Sequence, residues 1–180
     1  MEIINENGRL VVVLGTSHDL QMAEKWPRNV DDPDYSRLIQ HLVSDSKIDT
    51  IFEEASECGP TSAQKLAQRL ELEYVDVDPH PNVRHFYGLS SDTGNPLDQP
   101  YDFANRTLPE EHFKREDFWV QKISLESFKV GLVICGYLHT LSLAGRLLSA
   151  GFKVDACVYV PHDKLCRKMH PTDESSAPSA

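Results

Sequence analysis

A chain of 180 residues has the length of one domain and can bury a single sizeable core. Its 40% apolar and 26% charged residues are ordinary globular proportions and exclude wholesale disorder. A formal net charge of −10 excludes a bulk electrostatic grip on nucleic acid or anionic lipid, although a local basic pocket would still hold one phosphate.

No apolar run approaches the roughly 20 residues that cross a bilayer. The stretch Met1 to Glu6 has neither the basic start nor the apolar core of a signal peptide. Cys58, Cys135, Cys157 and Cys166 make no CxxC pair and no zinc-ribbon spacing, and they read as reduced thiols. The expectation is a soluble, cytoplasmic protein with no membrane contact.

Gly8-Arg9 opens a first strand that runs to about Leu14 through Leu10-Val11-Val12-Val13. A short helix is expected from Asp19 to Lys25 and is broken by Trp26-Pro27. Tyr35, Leu38, Ile39, Leu42 and Val43 recur at helical spacing. A second strand follows over residues 48–53, and Gly59-Pro60-Thr61 starts a helix with Ala63, Leu66, Ala67 and Leu70 on one face. Residues 72–77 read as a third strand. Residues 78–108 break the rhythm with six prolines and glycines and read as a long loop insertion, a lid or substrate loop.

Pro109 to Phe128 reads as a helix in which Phe118, Trp119 and Ile123 pack while Arg115 faces elsewhere. A fourth strand is expected at 130–135, a helix from His139 or Thr140 to Ser149 ended by Gly151, and a fifth strand at 153–159. Residues 171–180, rich in Ser, Pro and Ala, read as a disordered tail. The alternation predicts one α/β domain over 1–170: a mostly parallel, doubly wound sheet of about five strands with helices on both faces.

Two strands end in the same pattern, Gly15-Thr16-Ser17-His18 and Gly136-Tyr137-Leu138-His139. A third ends in Glu53-Glu54. Open parallel sheets bind ligands outside the carboxyl ends of their strands, so three strand ends deliver two imidazoles and a carboxylate pair to one edge. On an extended chain Glu53 and Glu54 point to opposite faces, so one of them enters the crevice. The competing reading makes these residues helix caps and solvated acids. Asp76, Asp78 and His80 at the third strand end are further candidates. Arg115 would clamp a carboxylate, a phosphate or a developing oxyanion, or form a surface salt bridge. His85, His112, His162 and His170 have no recurring context and read as surface residues. There is no dinucleotide fingerprint, no Walker A sequence and no G-x-S-x-G elbow.

The two Gly-x-x-His motifs, Glu53-Glu54, the Arg115-Glu116-Asp117-Phe118-Trp119 segment and Leu147-Leu148-Ser149-Ala150-Gly151-Phe152 resemble the TraB, PrgY, GumN and Tiki group. That group is related to the erythromycin-esterase and ChaN superfamily. The resemblance implies a hydrolase, metal-dependent and peptidase-like as in Tiki proteins or esterase-like and metal-free. It implies His18 and His139 as the paired histidines, Glu53 or Glu54 as the acidic partner and Arg115 as the cation. In the metal form, His18, Glu53 and His139 would hold a divalent Zn, Mn, Co or Fe ion for a small-molecule or peptide substrate. The catalytic set is then Glu53, Glu54, Arg115, His18 and His139, with the second glutamate as general base. The alternative is a non-catalytic module that binds a small anionic ligand such as a nucleotide through Arg115.

Overall fold

A computed structural model of the protein describes residues 8–21, 32–55, 60–87, 89, 110–160 and 165–169. The sheet is built from β1 (Leu10–Thr16), β2 (Thr50–Glu53), β3 (Glu73–Asp76), β4 (Val130–Gly136), β5 (Lys153–Val160) and β6 (Leu165–Met169). Their order is β3-β2-β4-β1-β5-β6. The first five strands are parallel and β6 runs antiparallel to β5. The five expected strands are therefore present and the α/β fold is as read. The sixth, Leu165-Cys166-Arg167-Lys168-Met169, was not anticipated, because a short segment with adjacent basic residues carries no strand signature of its own.

The helices are α1 (His18–Gln21), α2 (Pro33–Ser46), α3 (Ser62–Arg69), α4 (Glu110–Leu125) and α5 (Thr140–Ser149). Asp32 caps α2 by accepting from the Asp34 and Tyr35 amides, with Pro33 at the first helical position. Lys47 stops that helix in the left-handed conformation, φ 54°. Thr61 caps α3 by accepting from the Gln64 amide at 3.0 Å. The first helix starts at His18 rather than Asp19, so the first motif histidine is itself helical.

Alternation along the strands divides the core between two faces. Val12, Leu14, Ile51, Leu132 and Ile134 pack beneath α2 and α3, against Tyr35, Ile39, Ala63 and Leu66. Val11, Val13, Phe52, Val133 and Cys135 pack beneath α4 and α5, against Trp119, Ile123, Leu143 and Leu147. Helices thus cover both faces of the sheet.

Within the expected 78–108 insertion, Pro81–Tyr87 forms a 3-10 turn. Residues 88 and 90–108 of the lid expectation, residues 22–25 of the first expected helix and the expected tail at 171–180 lie outside the described residues. Cys135 and Cys157 are buried and take part in no disulfide, in keeping with the expectation of reduced cysteines. Among the described residues no helix is long and apolar enough to cross a membrane.

Candidate functional site

The strand order makes β1 and β4 neighbours, with Gly15 beside Cys135 and Thr16 beside Gly136. The two Gly-x-x-His motifs therefore leave the sheet side by side at one height. Their glycines serve this close approach. Gly136 has φ −56°, open to any residue, so it supplies room rather than a special turn. A Cβ there would lie 2.7 Å from His18 Nε2 and 3.5 Å from Glu54 Oε2. A Cβ on Gly15 would clash with Thr140 Oγ1 and reach the Tyr137 backbone at 3.0 Å. Each motif's glycine thus leaves space for a residue of the other motif or its immediate neighbour.

Glu54 occupies the centre of this edge. The Gly136 amide donates to its Oε2 at 2.8 Å, and Arg115 Nη2 donates to its Oε1 at 2.7 Å. Burial alone would push this carboxyl up, but the Arg115 guanidinium, then His18, His139 and the Gly136 N–H, hold it well below the usual carboxylate range. Glu54 is therefore ionised and senses both motif histidines. His18 is exposed at the rim, whereas His139 is 3% exposed.

Arg115 reaches Glu54 from α4, across the top of the sheet. Its Nε and Nη2 also donate to Asp78 Oδ1, at 3.1 and 2.8 Å. Asp78 receives the Trp119 indole N–H at 3.1 Å and Arg84 Nη2 at 2.5 Å. Contrary to the expectation from sequence that Arg115 faces away from the packed side of its helix, it lies on the same side as Trp119. Its guanidinium carbon sits 5.1 Å from the Trp119 ring centroid, because residues four apart share a helix face. Two partly competing costs follow: burial of three charges in Glu54, Arg115 and Asp78, and the loss of a free arginine for substrate. Excellent pairing offsets the first.

His139 is gripped by a carboxylate that sequence reasoning missed. Its Nδ1 lies 2.7 Å from Glu116 Oε1, which also accepts from the Ser142 hydroxyl at 2.6 Å. Arg146 Nε donates to Glu116 Oε2 at 3.1 Å. Glu116 is fully buried. His112, read from the sequence as a surface residue, is half-buried and stacks on His139 with ring centroids 4.9 Å apart. Its Nδ1 is buried without a hydrogen-bond partner. Burial, then His139 and Arg115, lower its pKa, so it is neutral at neutral pH. The signal for both residues was present: 112, 115, 116 and 119 are spaced as one helical face.

Glu53 does not join this group. The alternation that sends Glu54 towards α4 sends Glu53 to the face of α2 and α3. There its Oε2 accepts from Thr61 Oγ1 at 2.5 Å and from the Tyr74 hydroxyl at 2.9 Å. The expected metal set of His18, Glu53 and His139 is therefore split between two faces of the sheet. Glu54 is no substitute, since both its oxygens are engaged and a guanidinium lies beside it. Among the described residues no group of three or more His, Cys, Asp or Glu side chains is placed to hold a metal ion. The donor set does not fit the divalent ion that the resemblance implied.

No protein-family model matches the chain, and no curated protein or solved structure does either.

Proposed function

We propose that the chain is an esterase-like hydrolase that works by acid–base chemistry of its own side chains. The observation that carries this reading is Glu54: an ionised, buried carboxylate that two strand-end histidines and one arginine surround. Buried clusters that hold a carboxyl far from its ordinary pKa beside histidines at a strand edge are typical of active sites.

His18, exposed beside Glu54, is the imidazole that meets substrate and water. Its Nε2 takes a proton from the attacking water as the water oxygen bonds to the substrate carbonyl carbon. The resulting imidazolium is stabilised by the Glu54 charge and returns the proton to the leaving oxygen as the acyl bond breaks. Glu54, held far below neutrality, is too weak a base to take the proton itself, so its contribution is electrostatic. Arg115 keeps Glu54 ionised and fixed. The Glu116–His139 pair orients a second imidazole from below, as a carboxylate behind a histidine does in many acid–base sites. The resemblance to the TraB, PrgY, GumN and Tiki group, through its esterase-like relatives, supports the same class.

The competing role, a pocket for a small anion, loses its anchor because Arg115 spends Nε and Nη2 on two carboxylates. The test is a panel of small neutral chromogenic esters and lactones assayed after exhaustive chelation. We expect turnover that survives the chelator and falls about 10²- to 10⁴-fold in His18→Ala, the range for loss of a general base. No hydrolysis across the panel, or hydrolysis that His18→Ala and Glu54→Gln leave unchanged, overturns the reading. Activity abolished by chelation and restored by a divalent ion would return the metal form.

A further inference from the structure

Three side chains from one stripe of α4 hold the His139 imidazole. His112, Glu116 and Trp119 follow one another four and three residues apart, which places them on one helix face. His112 stacks on the imidazole, with ring centroids 4.9 Å apart and planes inclined by 24°. Trp119 meets it edge to face, with centroids 4.8 Å apart and 67° between the planes. Glu116 Oε1 lies 2.7 Å from its Nδ1.

Two of these holders are themselves anchored. Trp119 is fully buried and its indole N–H donates to Asp78 Oδ1 at 3.1 Å. Glu116 accepts from the Ser142 hydroxyl at Oε1, 2.6 Å, and from Arg146 Nε at Oε2, 3.1 Å. Both donors lie on α5, the helix that begins immediately after His139. A carboxylate that only accepts leaves one assignment for the ring nitrogen facing it, and Nδ1 carries the proton. In the neutral imidazole Nε2 is then the acceptor. The third holder adds no charge: burial first, then His139 and Arg115, lower the His112 pKa, so the stack tolerates a proton on His139.

We propose that His112 and Glu116 are positioning residues that hold His139 as the Nδ1–H tautomer, with Nε2 presented as a hydrogen-bond acceptor. Glu116 fixes the tautomer and the His112 ring, opposed by Trp119, fixes the plane. For its catalytic purpose the proposal rests on the hydrolase reading: His18 carries the proton, and His139 accepts a hydrogen bond beside it. His18 and His139 both act on the Glu54 charge, so the two imidazoles serve one carboxylate. The same helix therefore fixes Glu54 through Arg115 and His139 through His112 and Glu116.

The experiment reads the ring nitrogens of isotope-labelled histidines in the full chain by NMR, beside steady-state kinetics on an ester that the panel identifies. Above neutral pH, wild-type His139 should show a protonated Nδ1 and an unprotonated Nε2. In His112→Ala the ring should sample more than one orientation, and kcat should fall roughly 10- to 100-fold with KM little changed. His112→Phe returns a flat neighbour, so it should restore a single set of ring signals and most of kcat. Should His112→Ala fail to fold, His112→Leu, apolar but not planar, takes its place. An Nε2–H tautomer in the wild type overturns the proposal, and so does an unchanged His139 ring in His112→Ala. Equal losses of kcat in His112→Ala and His112→Phe overturn it too, by giving the role to the His112 nitrogen. A wild-type chain that turns over no ester removes the hydrolase reading, and the ring signals then decide the positioning by themselves.

Discussion

Gly136 leaves the room that the His18 imidazole fills: the Cβ of any other residue there would sit 2.7 Å from His18 Nε2. One motif's glycine thus positions the other motif's histidine. Side chain against backbone is the contact, so the pair depends on strand order and not on sequence distance. The same packing brings His18 to Glu54, whose Oε2 borders the same space.

Alanine at the two motif glycines should therefore separate stability from function. Gly15→Ala drives a methyl into Thr140 and the Tyr137 backbone, which cannot swing aside, and overpacking of this kind costs about 1–3 kcal/mol. Gly136→Ala meets the end of a side chain at the rim, which can move. We expect urea unfolding to show the loss chiefly in Gly15→Ala. Ester hydrolysis, and the His18 ring resonances in NMR spectra, should change chiefly in Gly136→Ala. Equal unfolding midpoints for the two variants would contradict the assignment.

Arg115→Met removes the partner of two buried carboxylates at once, since Glu54 and Asp78 both bond to the guanidinium. Breaking a buried pair by deleting one member costs about 3–5 kcal/mol. Arg115→Lys should recover only part of this loss, because an ammonium cannot fork between Glu54 and Asp78. Chemical denaturation of both variants checks the order. Wild-type stability in Arg115→Met would show that the network contributes little.

The adjacent glutamates should give stability opposite pH slopes. Burial raises Glu53 from an ordinary 4.5 to about 7, against the Thr61 and Tyr74 hydrogen bonds that lower it. The folded state then holds an extra proton between pH 4.5 and 7, so this contribution is present below 4.5 and is lost as pH rises through 7. Linkage sets its size at no more than roughly 3 kcal/mol. Glu54 is depressed, so its contribution is present above 4.5 and disappears as pH falls below that value. Unfolding free energy measured from pH 4 to 8 should fall on the alkaline side. Glu53→Gln should flatten that fall. A slope unchanged by the substitution would move the titration to another group.

His112→Phe keeps a ring on His139 and deletes the orphaned Nδ1. An unsatisfied buried nitrogen costs about 1–3 kcal/mol, so the variant should melt at or above the wild-type temperature. If that nitrogen meets substrate, ester turnover falls while melting rises. Lower stability would mean that His112 already has a partner in solution.

Much of this was legible in order along the chain. The runs Leu10 to Leu14 and Val130 to Cys135 announced buried strands because parallel-sheet strands are apolar on both faces. The two-residue period of an extended chain required Glu53 and Glu54 to part company. Periodicity and alternation are local properties, set by the geometry of the backbone itself.

Which glutamate entered the crevice was a different matter, decided by where α4 lay. Only packing placed α4 across the strand ends, and with it Arg115 on Glu54 and Glu116 on His139, 61 and 23 residues apart in sequence. Composition and spacing could bring His18 and His139 to one edge of a sheet. The insertion of β4 between β1 and β2 made their motifs neighbours, and that choice belongs to long-range burial of the whole sheet, which no short segment encodes.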